Sequence, residues 1–386
     1  MNNADTSQDP GFVTADEALR CGDPIAARAL LEAAATQETP GIDVWRKLAA
    51  LRRNAGDVMG ATAALQQALR DDPFDFFSLL ALAGLFDQLE DPRAGEAYGR
   101  ALAQRPTGKM APPLEQAVRR GQSVYRAYQQ AFETRYLEAA RTSGAELDAD
   151  AQIRFERFAS NSARRTSPFR ANPTHFHYPG LREREFHPRV EFPWLAAWES
   201  AASSIAAEFE QLVATKTSEL VPYVQYGDEA PLNQWRALNN SRDWTAIHLI
   251  KRGETIAANA RHCPATMEIL RTIPQPRIAG CGANAMFSLL APHTTIPPHH
   301  GVANFRLVAH LPLIVPSGCW FRVGAETREW RLGESFVFDD TIEHEAANPS
   351  DRPRVVMIVD CWHPDLGPAE RTAIAAALSG NNTAEF

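Results

Sequence analysis

The sequence predicts an α+β protein of two parts: an N-terminal α-helical repeat region, then a β-rich domain of the double-stranded β-helix (jelly-roll, cupin-like) type. In the first part, a turn signal and a proline each recur at intervals of 33 or 34 residues. From residue 244 onwards, short apolar runs of strand length alternate with turn residues. Stacked helix pairs account for the first pattern, and an antiparallel sandwich or barrel accounts for the second.

The repeat is a Gly-Asp or Glu-Asp turn starting at positions 22, 56 and 90, with a proline after each helical pattern at 40, 73 and 106. The middle repeat has the small and large residues of a tetratricopeptide repeat, while the first is degenerate. Alanine-rich amphipathic helices that pack as an unrelated bundle are the alternative. We therefore predict tetratricopeptide-like repeats over residues 1–108, and a docking role for them. The residues that define the middle repeat are Trp45, Leu48, Ala49, Gly56, Ala61, Leu65, Ala68 and Pro73.

A connecting helix and linker are predicted over residues 109–160. Apolar and aromatic residues keep helical spacing from Pro113 to about Ser143. The composition then becomes rich in proline, arginine, histidine and aromatic residues, which places the domain boundary near 145–165. The second domain is accordingly predicted over residues 161–386.

The second domain begins with a helical pattern from Trp194 to Lys216 and continues with runs that predict strands. Many short strands separated by Pro, Gly and Asn favour a jelly roll. The predicted strands are residues 244–250, 285–290, 305–311, 318–323, 335–338 and 355–359.

Composition and charge exclude several classes of protein. The chain has 386 residues, of which 45% are hydrophobic and 22% charged, which is ordinary for a globular protein. Its net charge of -8 gives no electrostatic reason to bind nucleic acid or an anionic membrane. The N-terminus lacks the basic and apolar segments of a signal peptide, and no apolar run approaches the roughly 20 residues of a spanning helix. We expect a soluble, cytoplasmic protein.

Cysteine usage also argues against a disulfide framework or a zinc knuckle. The five cysteines are odd in number, widely spaced and never in a Cys-x-x-Cys pair. Reduced thiols in a reducing compartment are therefore expected. These residues are Cys21, Cys263, Cys281, Cys319 and Cys361.

His299 and His344 carry the main functional signal. His299 lies in Pro297-Pro298-His299-His300-Gly301, His344 follows an acidic segment, and Arg354 stands ten residues later in an apolar strand. Two imidazoles and an arginine are what an iron(II) site with a dicarboxylate cosubstrate needs. Such sites usually contain His-x-Asp/Glu, and here Gly301 occupies the carboxylate position. Single histidines are more often structural, and the alternative role of Arg354 is a salt bridge with an internal Asp or Glu.

Residues that match a known family extend in the same order over nearly 80 positions. They are Ser288, Pro298-His299-x-Gly301, Asn304-x-Arg306-Leu307-x-x-His310-Leu311, Gly318-Cys319, Glu326-Thr327-x-x-Trp330, Gly333-Glu334, Phe338-Asp339-Asp340-x-x-Glu343-His344-Glu345, Arg354 and Asp360-x-Trp362-His363-Pro364. This run, from Phe287 to Asp365, closely resembles the aspartyl/asparaginyl β-hydroxylase family of iron(II)- and 2-oxoglutarate-dependent dioxygenases. A weaker similarity extends back to about Phe192.

The resemblance implies a jelly roll in which two histidines alone bind iron and a glycine replaces the usual carboxylate. By position, His299 and His344 would be the metal ligands, and the departure at Gly301 supports the match. Asp340 would be a catalytic residue close to water on the metal.

The resemblance also implies how the cosubstrate 2-oxoglutarate binds. Arg354 and Ser288 would hold its distal carboxylate, and His310 would contact it. Animal members of the family carry an arginine, associated with an acidic substrate side chain, where this chain has Val308. Arg306 remains a candidate for contacting an acidic or polar substrate group.

Upstream polar and aromatic clusters add Tyr223 and Arg242 as candidate substrate-binding residues, although turn formation and packing explain such clusters equally well. The animal members also have a helical repeat region before the catalytic domain, as here.

The expected function is hydroxylation of an amino-acid or peptidyl side chain at the β-carbon, with dioxygen consumed and 2-oxoglutarate decarboxylated to succinate. A protein substrate would be docked by the repeats. One alternative is a different outcome at the same iron, such as desaturation or halogenation of a small molecule. Others are a non-catalytic repeat scaffold with a degenerate β-domain, and a zinc-binding cupin-like module.

Overall fold

A computed structural model describes residues 10–215, 220–227, 229 and 231–379. The chain divides into two compact units, Met1–Thr166 and Ser167–Phe386. The first nine residues of the predicted repeat region and the predicted helix end at Lys216 lie outside the described residues. Within the described residues, no helix combines the length and the apolar character needed to cross a membrane.

The first unit consists of helices that follow one another as antiparallel hairpins. The recurring turn has a physical explanation: Gly22 and Gly56 have φ angles of 77° and 79°, a conformation that favours glycine. The aspartates that follow, Asp23 and Asp57, cap the next helix by accepting hydrogen bonds from backbone N–H groups. The helices are α1 (Pro10–Arg20), α2 (Pro24–Ala34), α3 (Ile42–Asn54), α4 (Val58–Asp71), α5 (Phe76–Gln88), α6 (Ala94–Ala103), α7 (Pro112–Thr142) and α8 (Ala149–Ser162).

Residues 109–160, predicted to be a connecting segment, fold as part of the first unit. Helix α7 matches the predicted helix closely, whereas α8 lies where the sequence suggested a linker. Gln129 on α7 donates hydrogen bonds to the backbone carbonyls of Ala163 and Arg164 at the end of α8, which ties the two helices together.

The second unit is a two-layer β structure flanked by helices. Its described residues form an eight-stranded sheet, in the order β1-β10-β7-β12-β5-β3-β2 with β4 beside β3, and a four-stranded sheet, β6-β11-β8-β9. The strands are β1 (Phe186–His187), β2 (Val221–Pro222), β3 (Trp244–Lys251), β4 (Glu254–Thr255), β5 (Ala285–Leu290), β6 (Thr294–His299), β7 (Arg306–Ile314), β8 (Trp320–Val323), β9 (Glu326–Glu329), β10 (Phe336–Phe338), β11 (His344–Asn348) and β12 (Arg354–Trp362). The helices are α9 (Leu195–Ser200), α10 (Ala202–Ala214), α11 (Ala257–Ala260), α12 (Pro264–Leu270) and α13 (Pro368–Leu378).

All six predicted strands are present, while three strands of the small sheet, β6, β9 and β11, and the two-residue strands β1, β2 and β4 of the large sheet were not predicted. The single helix predicted over 194–216 is two helices, α9 and α10, separated at Ala201. Among the described residues no cysteine is bonded to another, and all but Cys21 are buried.

The large sheet is buried on both faces, so most residues of its long strands are apolar and do not alternate with polar ones. One face packs on α9, α10 and α12 through residues such as Trp198, Phe209 and Phe287. The other face meets the small sheet through residues such as Met286 and Phe321. Polar residues on this second face are exceptions in an apolar core, and they mark the candidate site.

Candidate active site

A cavity of about 490 Å³ lies between the two sheets of the second unit. Alternation along the strands brings the predicted residues to it: on β7, residues 306, 308 and 310 face the cavity while 307, 309 and 311 face the helices. The same period places Ser288 of β5 and Arg354 of β12 on the cavity side. The predicted residues that line the cavity are Tyr223, Ser288, His299, Arg306, His310, Asp340, His344 and Arg354.

Arg242 lies apart from these residues. It is exposed, in the bend that precedes β3, and it is not among the residues that line the cavity. The polar cluster around it is therefore explained by turn formation, with Ser241 and Asp243 hydrogen-bonded to each other.

His299 and His344 face each other across adjacent strands, at the end of β6 and the start of β11. Their ring centroids are 3.9 Å apart. Each ring lies with Nδ1 close to the carbonyl oxygen two residues earlier, Pro297 at 2.8 Å and Ile342 at 3.1 Å. A carbonyl oxygen only accepts hydrogen bonds, so both Nδ1 atoms carry the proton and both Nε2 lone pairs are free.

The electrostatics of the cavity keep both imidazoles neutral. Burial, reinforced by the neighbouring His344, lowers the pKa of His299 to about 3. Burial likewise lowers the pKa of His344 to about 4. Neutral imidazoles oriented through Nδ1 are the form in which histidine binds a metal ion. The described residues contain no group of three or more His, Cys, Asp or Glu side chains arranged to hold a metal. The pair is a candidate metal site because both rings are neutral and share the same orientation through Nδ1.

Asp340 fills the space left by the missing side chain of Gly301. A Cβ atom added at position 301 would overlap the Asp340 carboxylate. The Gly301 N–H also donates to the Asp340 carbonyl oxygen, at 2.7 Å. The Asp340 carboxylate therefore occupies the space that a side chain at position 301 would fill. Position 301 is where a His-x-Asp segment would have its acid, although Asp340 belongs to another part of the chain.

Arg306 holds Asp340 in this place. Its Nη1 is 2.7 Å from Asp340 Oδ2 and 3.7 Å from Asp360 Oδ1, and all three side chains are buried. The other oxygen, Asp340 Oδ1, is buried and has no hydrogen-bond partner among the described residues. Because Arg306 is compensated by two carboxylates, its geometry favours a positioning role over the predicted contact with substrate.

Arg354 differs from Arg306 because its charge is not compensated. It is 2% exposed, and no carboxylate of the described residues forms an ion pair with it. Its Nη1 donates to the Ser288 carbonyl oxygen at 3.3 Å, its guanidinium lies 4.8 Å from the centre of the Trp330 ring, and its Nε has no partner. Burial lowers its pKa to about 10, so it remains a cation at neutral pH. The salt bridge considered as an alternative is therefore absent from the described structure, and a bound anion would supply the missing charge.

Ser288 and His310 complete the polar groups beside Arg354. The Ser288 hydroxyl oxygen accepts a hydrogen bond from Trp244 Nε1 at 3.0 Å, which leaves its own proton to donate. Burial, with Arg354 nearby, holds the pKa of His310 well below its usual value, so this ring is neutral.

An aromatic wall borders the histidine pair. Tyr223 stacks on Trp244 with ring centroids 3.8 Å apart, and Trp235 meets His299 edge-on at 4.9 Å. Trp244 and Asp360 received no role from the sequence. Asp360 could have been found by the argument that identified Arg354, since it is a lone acid in an apolar strand.

Two neutral histidines and a buried arginine without an acidic partner thus lie in one cavity of a two-layer β domain, an arrangement that could hold a metal ion and an anion. Residues 199–364 match the family model described as aspartyl/asparaginyl β-hydroxylase.

Named relatives agree with this match. The chain is 35% identical over 173 residues to aspartate β-hydroxylase domain-containing protein 2 of Xenopus tropicalis, which is 43% of this chain and 46% of the relative. It is 34% identical over 141 residues to human aspartyl/asparaginyl β-hydroxylase, 36% of this chain and 18% of the relative. The chain therefore spans less than half the length of these two relatives.

The first unit has distant structural likenesses to helical repeat proteins. One is the Sgt2 TPR domain from Aspergillus fumigatus, with a TM-score of 0.27, 18% identity and coverage of 38% of this chain and 88% of that domain. A likeness at this score carries no functional conclusion.

Proposed function

We propose that the second unit is an iron(II)- and 2-oxoglutarate-dependent dioxygenase that hydroxylates an amino-acid or peptidyl side chain, at its β-carbon, and releases succinate. The observation that carries the proposal is the uncompensated Arg354 cation in the same cavity as two neutral, pre-oriented histidines. The match of residues 199–364 to the aspartyl/asparaginyl β-hydroxylase family model supports the hydroxylase class.

The histidine pair fits an iron(II) ion. Both Nε2 atoms are free to bind the metal, while the carbonyl oxygens of Pro297 and Ile342 fix the tautomer and the ring orientation. When bound, iron(II) would supply the activation of dioxygen that no side chain provides. Two protein ligands leave more positions for small molecules than the usual three.

The other end of the cavity fits the distal carboxylate of 2-oxoglutarate. Arg354 offers a planar pair of donors, which suits a carboxylate, and Ser288 offers a hydroxyl proton. Binding there would replace an uncompensated buried charge by an ion pair in a site with little access to water, where such a pair is strong.

Asp340 contributes a carboxylate beside Gly301, two positions after His299. It is not one of the two proposed metal ligands. Arg306 occupies one of its oxygens, and the other remains a hydrogen-bond acceptor. We expect it to orient a proton-bearing group at the metal, such as water, and to be prevented from rotating by Arg306.

The reacting part of the substrate is expected to be uncharged. Of the three lysine and arginine side chains that line the cavity, Arg306 is compensated by Asp340 and Asp360, and Arg354 would be bound by the cosubstrate. The third, Lys251, lies at the opposite end of β3 from Trp244, the residue whose ring neighbours His299. Val308 presents an apolar surface from the same face of β7. An asparaginyl or apolar side chain meets these surfaces better than an aspartate, because a buried carboxylate needs a cation partner.

The test is iron-dependent formation of succinate from 2-oxoglutarate by the full chain, with a panel of peptides and amino acids. In parallel, mass spectrometry would search lysates for products that gain one oxygen, with His344→Ala as control. Desaturation or halogenation at the same site would appear as a different mass change. The absence of succinate with every substrate would contradict the proposal and favour the non-catalytic scaffold.

A docking role for the first unit is a separate proposal. Its helical hairpins would hold a protein substrate while the second unit modifies it. Loss of activity on a protein substrate, with activity on a short peptide retained, is the expected result of altering the repeats.

A further inference from the structure

Trp330 belongs to the family-like motif of this chain, yet nothing above gives it a function. It follows β9, it is 4% exposed, and it lines the cavity. Its ring stacks on Phe321, with centroids 5.5 Å apart, which fixes the direction of its N–H. It touches two of the residues assigned to the anion-binding end of the cavity, His310 and Arg354.

The contact with His310 determines where that ring carries its proton. Trp330 Nε1 donates to His310 Nδ1, at 3.4 Å. An indole N–H can only donate, so Nδ1 of His310 must be the unprotonated nitrogen. A neutral imidazole has one proton, which is therefore on Nε2.

The protonated nitrogen is the one that remains available to a ligand. Among the described residues, no hydrogen-bond partner of His310 Nε2 is found, while the ring itself lines the cavity. Aromatic rings enclose it: the centroids of Phe338 and Phe321 lie 4.8 Å and 5.1 Å away. The opposite tautomer would present a lone pair beside a bound carboxylate and would repel it.

The contact with Arg354 acts on the same ligand. The guanidinium carbon lies 4.8 Å from the centre of the Trp330 ring, within the range of a cation–π interaction. The negative face of the ring partly compensates the cation without using its N–H donors. The fork of donors stays available for a carboxylate, which an acidic partner would have occupied.

We propose that Trp330 is a positioning residue for the anion-binding end of the cavity, which holds His310 in the Nε2–H tautomer and supports Arg354 through its ring face. The inference rests on the proposed function, since it takes 2-oxoglutarate to be the anion. It adds a requirement for an indole: another aromatic residue would keep the ring face and lose the tautomer control.

Trp330→Phe separates the two contacts, because phenylalanine keeps the ring and lacks the N–H. Trp198→Phe is the matched control: Trp198 is fully buried in the core beside the helices, and its Nε1 has no hydrogen-bond partner among the described residues. Both variants remove an indole N–H, but only the first removes a hydrogen bond.

The first measurement is nitrogen NMR of the histidine rings of the metal-free wild-type protein, with His310→Gln to identify the signal. The Nε2–H tautomer is expected for His310, and a mixture in Trp330→Phe. Finding the Nδ1–H tautomer in the wild type would overturn the proposal without any need for a folded variant.

The second measurement is calorimetric binding of 2-oxoglutarate without dioxygen. Trp330→Phe should raise the dissociation constant about tenfold, the usual consequence of losing one buried hydrogen bond, and Trp198→Phe should leave it unchanged. In turnover, KM for 2-oxoglutarate should rise by a similar factor, with kcat little altered.

Equal affinities for Trp330→Phe and the wild type would overturn the proposal and leave the proposed function intact. A wild type that binds no 2-oxoglutarate would overturn the proposed function, and the tautomer measurement would still decide the role of Trp330.

Discussion

Replacing Arg354 by methionine should stabilise the ligand-free protein and weaken its binding of 2-oxoglutarate. These opposite effects have one origin, the burial of a cation with no acidic partner in the described structure. Methionine has a similar length and fills most of the same space without a charge. If Arg354 served only to stabilise the fold, this substitution would lower the free energy of unfolding of the protein.

The magnitude follows from the electrostatics of the site. Burial lowers the pKa of Arg354 from its usual value to about 10, and at about 1.4 kcal/mol per pKa unit the charged form costs the fold about 3 kcal/mol. The cost is present at every pH below about 10, because the unfolded chain holds the same proton more tightly. Losing the contacts with Trp330 and the Ser288 carbonyl offsets about 1–2 kcal/mol. A net stabilisation of about 1–2 kcal/mol, or a rise in Tm of roughly 3–6 °C, is expected.

Binding should change in the opposite direction by a larger amount. Removing one partner of a buried, hydrogen-bonded charge pair costs about 2–5 kcal/mol, so the dissociation constant for 2-oxoglutarate should rise at least roughly 30-fold. Thermal unfolding with and without 2-oxoglutarate measures both effects at once. Arg352→Met is the control, because this arginine is exposed two residues earlier. A variant that is less stable without ligand and binds 2-oxoglutarate normally would refute the reasoning.

Three further outcomes follow from the same geometry. His299→Ala or His344→Ala should abolish iron-dependent turnover and reduce iron(II) affinity in equilibrium dialysis, whereas activity retained in either variant would contradict the metal assignment. Gly301→Ala should lower the free energy of unfolding by about 1–3 kcal/mol, since the new methyl group overlaps the Asp340 carboxylate; urea titration measures this, and an unchanged stability would show that Asp340 moves freely. Burial, with a neighbouring histidine, lowers the pKa of His187 to about 4, so the unfolded state binds more protons between pH 6.5 and 4 and wild-type stability falls as the pH is lowered through that window. Between pH 7 and 4.5, the free energy of unfolding of His187→Gln should fall less than that of the wild type, by up to about 3 kcal/mol. Urea titrations of both proteins at several pH values measure this, and the same pH dependence in both would disprove the assignment.

The sequence predicted five of the eight strands of the large sheet, β3, β5, β7, β10 and β12, because that sheet is buried on both faces. Strands such as β12 carry a continuous apolar run, Val355–Val359, which is an unambiguous pattern. The small sheet gave weaker signals. Strand β6 contains Pro297 and Pro298 and lies at the edge of its sheet, where proline is tolerated, and β11 is interrupted by an irregularity after His344. The two strands that hold the histidines were therefore among those that local pattern did not find.

The candidate site was predictable as a set of residues and not as a set of pairings. His299, His344 and Arg354 were identifiable from residue type and order. The different roles of the two buried arginines could not be identified in this way, because they depend on which carboxylates lie close to each arginine after folding. Asp340 and Asp360 compensate Arg306 and leave Arg354 uncompensated, a difference of a few ångströms with no counterpart in spacing along the chain.

The Asp340 carboxylate fills the space beside Gly301, and this packing also restricts how the site can evolve. A third metal ligand at position 301 cannot arise by one substitution, since any side chain there meets the Asp340 carboxylate. Shortening Asp340 first would deprive Arg306 of its nearest counter-charge. Each single step is unfavourable although the double change is chemically sensible, so a lineage that once adopts this arrangement is held in it by its own packing.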